Sequence, residues 1–397
     1  MEHPLELAPF EFFTNPRLIF GAGSLDKLPS LISEIGDRVL IVRGKSSLAL
    51  SPKWKSLTDT FKVNGIKWIE QEVIGEPSVE LVDMAVERAK KEQIHLVVSI
   101  GGGSVIDTGK AVSAMIPQKD GIANYLEGIG TKKHNGIKTP FIAVPTTAGT
   151  GSEASKNAVI GKIGATGFKK SLRHNNLVPD IAILDSELTL TCPFTVSVAC
   201  GLDALTQLIE AYVSTNATPL TDSLTLSGIQ HFARSFDKAV FDEPENIAAR
   251  DDMLYASYLS GVGLANAGLG VVHGIAGVIG GFFDIPHGVI CAILLPEATK
   301  YNILKMSRDP DKYATALDKY ARVGVMLNGK DTGDRDKNLR ALTLHLSALT
   351  ESGGFPRLGD GGVRVSDVVR IAEKAGVKNN PVALSKAEIE AIIQACV

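Results

Sequence analysis

Short, unbroken apolar runs punctuate the first half of the chain. After Arg38 the sequence reads VLIV and then Gly44; after His95 it reads LVVSI and runs directly into Gly101, Gly102 and Gly103. FIAVP at Phe141 to Pro145 breaks into Thr146, Thr147, Ala148 and Gly149, and IAILD ends at Asp185. Strands alternating with helix-like segments at this spacing predict a mostly parallel sheet that collects ligands at the carboxyl ends of its strands. After Pro193 the grammar changes. Residues 195–214, 219–236, 246–264 and 366–375 carry apolar positions at helical period, and no strand run reappears. The pattern therefore predicts an α/β unit over residues 1–190 and an all-helical unit over 191–397. The Gly- and Asp-rich stretch 328–336 reads as a surface loop.

The long apolar stretch from Leu259 to Pro296 is interrupted by Asn266, His273, Asp284 and His287. Unpaired polar groups are costly in lipid, so it reads as buried core helices rather than a membrane span. At 397 residues the chain exceeds the size of a single core, which predicts two domains with a cleft for a small molecule. A net charge of -3 with no run of Lys or Arg offers no footprint for nucleic acid or an anionic membrane. Cys192, Cys200, Cys291 and Cys396 lack CxxC spacing and read as reduced, buried thiols. The acidic N-terminus MEHPLELAPFEFF has no basic and apolar secretory pattern, so a cytoplasmic location is expected.

Three segments carry chemistry. In SIGGGSVIDTGK, ending at Lys110, a strand runs into three glycines and a helix start. Glycines leave the amide N–H groups uncovered and the helix N-terminus adds positive potential, which suits an anionic pyrophosphate. Ser104 can cap the helix or contact the ligand, and Asp107 and Lys110 follow on it, where solvated surface residues are the plain alternative. In PTTAGTGSEA, Thr146 and Thr147 would face the same crevice; simple hydroxyl turns are the alternative. In the helical half, Asp203 and Gln207 share a helix face at i, i+4, His273 lies in an apolar helix, and His287 follows Pro286 at a helix entrance. A carboxylate, two imidazoles and an amide oxygen are ligands for a divalent cation such as Fe²⁺ or Zn²⁺. Any one of them alone reads as a hydrogen-bonded core residue, so the metal reading needs the set.

Together with GLDALTQLIEAYVS from Gly201 and GLGVVHGIAGVIGGFFDIPHGVICAILLP from Gly268, these segments resemble the iron-containing (group III) alcohol dehydrogenases, in order and spacing, from about Asn15 to the C-terminus. The resemblance implies a Rossmann-like N-terminal domain, an all-α metal- and substrate-binding domain, and a homodimer. It places Gly101, Gly102, Gly103 and Ser104 on the pyrophosphate, with Asp107 in the same motif and Thr146 and Thr147 along the cofactor. It makes Asp203, His273 and His287 metal ligands and gives the two histidines catalytic roles. Where the family reads D-A-x-x-H, this chain has Gln207, a weaker ligand. Where the family has a histidine one turn after His273, this chain has Gly277, which supplies no proton carrier and leaves space. A bulkier or more polar substrate, a relay through water or the cofactor ribose, and lost activity are all open there. NAD-preferring members carry an Asp after the second strand; here VRGKS places Gly44 there, flanked by Arg43 and Lys45, which favours NADP(H) over NAD(H).

The implied reaction is hydride transfer between a nicotinamide and an alcohol, aldehyde or ketone, with the cation as Lewis acid. A metal-independent reductase, a redox-neutral lyase of the same fold and a non-catalytic nicotinamide-binding protein are the rivals.

Overall fold

The structure, a computed structural model, describes residues 9–13, 16–45, 48, 52–164 and 167–397. Residues 1–8, Asn15 and Ser46, on which parts of the reading above fall, lie outside them. Eight strands are described: β1 Arg17–Phe20, β2 Arg38–Gly44, β3 Lys67–Val73, β4 Leu96–Gly101, β5 Phe141–Pro145, β6 Asn157–Lys162, β7 Phe168–Arg173 and β8 Ile181–Leu184. Six form one parallel sheet in the order β1-β8-β5-β4-β2-β3, while β6 and β7 make a separate antiparallel hairpin.

The helices α1 Leu28–Ile35, α2 Pro52–Val63, α3 Val79–Lys91 and α4 Gly103–Met115 alternate with the strands. Side chains alternate across β2: Leu40 and Val42 join Val82, Ala85 and Val112 of α3 and α4 on one face, while Val39 and Ile41 join Leu28, Ile32 and Phe61 of α1 and α2 on the other. Coverage on both faces explains why β4 and β5 are unbroken apolar runs. Four strands, β1, β3, β6 and β7, carry no such runs that the sequence pattern could mark. Edge strand β1 is mostly exposed, edge strand β3 interleaves Glu70, Gln71 and Glu72 with its apolar residues, and β7 is Lys-rich.

The strand order reverses between β2 and β4, which pair in register from Val39↔Leu96 to Arg43↔Ile100. Gly44 and Gly101 thus end neighbouring strands at the switch point, where open parallel sheets bind ligands.

From Phe194 onward every regular element is helical: α5 Phe194–Tyr212, α6 Pro219–Asp237, α7 Ile247–Ala267, α8 Val271–Phe282, α9 His287–Met306, α10 Ala314–Asn328, α11 Arg335–Ser352, α12 Val368–Lys374 and α13 Lys386–Cys396. One core joins α5, α6, α7, α10 and α11 and includes Ala182 and Leu184 of β8; a second joins α8, α9, α12 and α13. Helix α5 is long and apolar enough to cross a bilayer, as is the α7–α8 pair taken together, but 78% of the α5 window is buried in the fold and the pair is bent by 100°. The bend sits at Gly268, whose φ of 72° suits glycine. It turns the start of α8 toward α5.

Candidate active site

Helix α5 is the spine of the site. From Gly201 to Tyr212 every residue is buried, yet Asp203, Gln207 and Glu210 fall on one face at i, i+4 and i+7. Buried polar groups must find partners, and Gln207 and Glu210 do so with different elements while Asp203 keeps one oxygen unpaired. Glu210 reaches the N-terminus of α8, where it accepts from the Val272 amide at 2.7 Å and from His273 Nδ1 at 2.8 Å. That bond orients the ring so that His273 Nε2 faces Asp203 Oδ1, 3.3 Å away.

Helix α9 opens with His287 directly after Pro286, and Cys291 lies one turn further on the same face. The Cys291 Sγ stands 3.8 Å from His273 Nε2 and 3.7 Å from His287 Nε2. Ligand atoms of Asp203, His273, His287 and Cys291 all lie within 4.8 Å of one another. Three helices therefore bring one carboxylate, two imidazoles and a thiol to a point. The donor chemistry fits a divalent cation, and Asp203 Oδ1 is buried there without a hydrogen-bond partner.

The electrostatics favour positive charge at this point. Burial would discharge His273, but Cys291 and the carboxylates of Asp203 and Glu210 more than offset it and hold its pKa well above the usual histidine range. Burial also works against the Asp203 anion, yet the two facing imidazoles leave its pKa below the ordinary value. His287 is pushed down to about 3 by burial, so it is a neutral lone-pair donor.

Gln207, assigned by sequence to the metal, has its amide nitrogen 3.2 Å from the Thr150 carbonyl and 3.4 Å from that of Gly149, with Oε1 3.5 Å from Ser260 Oγ. It ties α5 to the loop after β5. Gly277 faces open space: a Cβ there would meet nothing within 4 Å.

The second half of the site is the crevice between the triple glycine and the loop after β5. Helix α4 starts at the triple glycine with Gly102 as its N-cap and no side-chain hydrogen bond capping it. Gly102, Gly103, Ser104, Thr146 and Thr147 are only partly buried, so this rim is open to a ligand. The two loops interlock: the Thr146 amide donates to the Gly101 carbonyl at 3.0 Å, and a Cβ on Gly103 would stand 2.5 Å from Thr150 Cγ2.

Asp107 and Lys110 serve this interlock from inside rather than lying on the solvated surface. Asp107, assigned by sequence to the cofactor, accepts instead from the Ser152 hydroxyl and from the Val159 amide at 2.8 Å. Lys110, only 1% exposed, donates to the carbonyls of Ser152 and Asn157 at 2.7 and 2.8 Å and to Ser155 Oγ at 3.0 Å. Burial pulls its pKa down to about 8 and pushes that of neighbouring Glu153 up to about 7.

Gly44 and exposed Lys45 sit at the end of β2, while Arg43 is held by Glu70 of β3 at 2.7 Å. Two site residues escaped the sequence reading. Glu210 was hidden inside an apolar helix, although its i+7 spacing from Asp203 marks the same face. Cys291 was read as core, although it lies at i+4 from His287.

Residues 15–186 match the iron-containing alcohol dehydrogenase family, and residues 197–397 match the C-terminal region of the Fe-containing alcohol dehydrogenase family. The chain is similar to alcohol dehydrogenase 4 of Saccharomyces cerevisiae, with 32% identity over 96% of this chain and 97% of that one. Among solved structures, an alcohol dehydrogenase from Oenococcus oeni superposes with a TM-score of 0.85 at 32% identity, covering 98% of this chain and 100% of that one. A 1,3-propanediol oxidoreductase superposes with a TM-score of 0.86 at 28% identity over the same shares. Matched through both halves, the chain belongs to the iron-containing alcohol dehydrogenase family.

Proposed function

We propose that this chain moves hydride between a nicotinamide dinucleotide, NADP(H) in preference to NAD(H), and a small alcohol or carbonyl substrate held between the glycine turn and α5. The observation that carries this reading is the convergence of Asp203 Oδ1, His273 Nε2 and His287 Nε2 beside a crevice built for a pyrophosphate. A divalent cation held by these groups supplies Lewis acidity to the substrate oxygen, and the nicotinamide supplies or accepts the hydride.

The protein's own share is orientation and charge. Gly102 and Gly103 leave amides uncovered for the pyrophosphate, and Thr146 and Thr147 line the same rim. Glu210 fixes the His273 ring, while Gln207 and Lys110 hold the loop after β5 against α5 and α4. Gly277 puts no side chain beside His273, so it leaves room for the substrate and supplies no proton carrier of its own. The preference for NADP(H) is supported by the absence of a carboxylate at Gly44 and by the cation of Lys45. The homodimer implied by the family likeness has a suitable surface in edge strand β1, where Leu18 and Phe20 are 37% and 44% exposed.

The test is NADPH and NADH oxidation over a panel of aldehydes and ketones, with metal analysis before and after chelation. Turnover that tracks bound metal is expected. Undiminished turnover in metal-free protein would remove the Lewis acid from the reading, and absence of any turnover would leave only a binding protein.

A further inference from the structure

We propose that Cys291 is a metal ligand whose thiolate completes a tetrahedral set with Asp203, His273 and His287, selecting zinc over ferrous iron. The inference rests on the reading that this cluster binds a cation, and it adds a donor that sequence reasoning had placed in the core.

Geometry carries it. Metal–nitrogen and metal–oxygen bonds of about 2.1 Å with a metal–sulfur bond of about 2.3 Å give tetrahedral edges of about 3.4 Å between light donors and about 3.6 Å from sulfur to nitrogen. The edges present are 3.3 Å from Asp203 Oδ1 to His273 Nε2, 3.8 Å from Cys291 Sγ to His273 Nε2, and 3.7 Å from Cys291 Sγ to His287 Nε2. Three of the six edges therefore have the lengths of a coordinated set, and all four ligand atoms lie within 4.8 Å of one another. A second observation is independent of the cysteine: Asp203, 2% exposed, turns a buried Oδ1 into the cluster without a hydrogen-bond partner. Gln207 is occupied with the backbone carbonyls of Gly149 and Thr150, so the fourth donor comes from α9 instead of α5. The spacing is built in, because Cys291 follows His287 by one helical turn and shares its face.

The chemistry follows from the donor types. Two imidazoles, one carboxylate and one thiolate make a tetrahedral N₂OS site, and thiolate sulfur is a softer donor that suits Zn²⁺. On loading, the Cys291 S–H bond breaks, its proton leaves to water and a sulfur–metal bond forms; no electrons change hands. The open space at Gly277, one turn after His273, leaves an approach to the cluster when its coordination expands to five.

Cobalt(II) tests this as a spectroscopic stand-in for zinc. Metal-free full-length protein loaded with Co²⁺ should show strong visible ligand-field bands together with a near-ultraviolet sulfur-to-cobalt charge-transfer band. Cys291→Ser should keep the visible bands and lose the charge-transfer band. The same substitution should weaken zinc at least about 100-fold and narrow the zinc-to-iron affinity ratio by about tenfold, since even outer-shell partners of a metal cost 10- to 100-fold. The wild-type spectrum decides even where the variant folds poorly. Ligand-field bands without charge transfer in the wild type would remove Cys291 from the set while leaving a three-donor cation site. Failure to bind cobalt or zinc at all would overturn both the cation reading and this inference.

Discussion

Gly151 and Gly261 meet backbone to backbone: a Cβ on Gly261 would stand 2.0 Å from the Gly151 carbonyl oxygen, and one on Gly151 would stand 2.4 Å from the Gly261 Cα. Gly151 lies in the hydroxyl-rich loop after β5 and Gly261 lies within α7, so this contact locks that loop onto the helical half. Gly151 also has a φ of 60°, a conformation that side chains disfavour.

Gly261→Ala should therefore separate the two halves at this point. Overpacking without a rotamer to relieve it costs about 1–3 kcal/mol. Denaturant unfolding should show that loss, and the dinucleotide should bind more weakly because the loop carrying Thr146 and Thr147 shifts with Gly151. An alanine variant of unchanged stability and cofactor affinity would show that the contact relaxes freely.

The buried Glu153 gives stability a pH dependence of definite sign. Its pKa is raised by burial from 4.5 to about 7, and Glu153 Oε1 has no hydrogen-bond partner. Between those values the folded chain holds a proton that the unfolded chain has released, so stability falls as pH rises from about 4.5 to 7 and the loss is complete above 7. Lys110, lowered to about 8, acts in the opposite sense, and its contribution recovers only as pH climbs from 8 toward 10.5. Glu153→Gln should thus gain stability relative to wild type on going from pH 5 to pH 7.5, by roughly 3 kcal/mol at most. A difference that stays flat across this window would mean that Glu153 is ionised throughout.

Glu210 touches neither the cluster's centre nor the crevice, yet it orients the His273 ring and closes the N-terminus of α8. Removing its charge while keeping its shape, as in Glu210→Gln, should lower cation affinity about 10- to 100-fold. Competition against a metal indicator measures this directly. Retained affinity would make Glu210 a helix cap and nothing more.

At the switch point, Gly44→Asp should reverse the cofactor preference. A carboxylate there accepts from a ribose 2′-hydroxyl and repels a 2′-phosphate, so NADPH should weaken by at least about tenfold while NADH holds or tightens. Fluorescence titration of the two reduced cofactors would show it. Equal effects on both would place Gly44 away from the adenosine ribose.

The N-terminal architecture was legible wherever a strand is covered on both faces. VLIV, LVVSI, FIAVP and IAIL announce themselves because a strand between two helical layers has no wet side, whereas β1, β3, β6 and β7 lie at edges or in the hairpin and carry the polar residues that those positions allow. The glycine turn, Asp203, His273 and His287 were legible because their chemistry stands out against apolar surroundings. Local sequence also determined that α5 is a helix, that Cys291 lies one turn from His287, and that Gly277 lacks a side chain.

Tertiary structure decided what those residues meet. The roles of Gln207, Asp107, Lys110 and Glu210 depend on partners 42 to 63 residues away in sequence, and that of Cys291 on the 100° bend that brings α8 back to α5. A periodicity reports which face of an element is buried. It does not report which other element packs there, so whether a buried amide becomes a ligand or a tie, or a buried thiol a filler or a donor, is settled only when the helices converge.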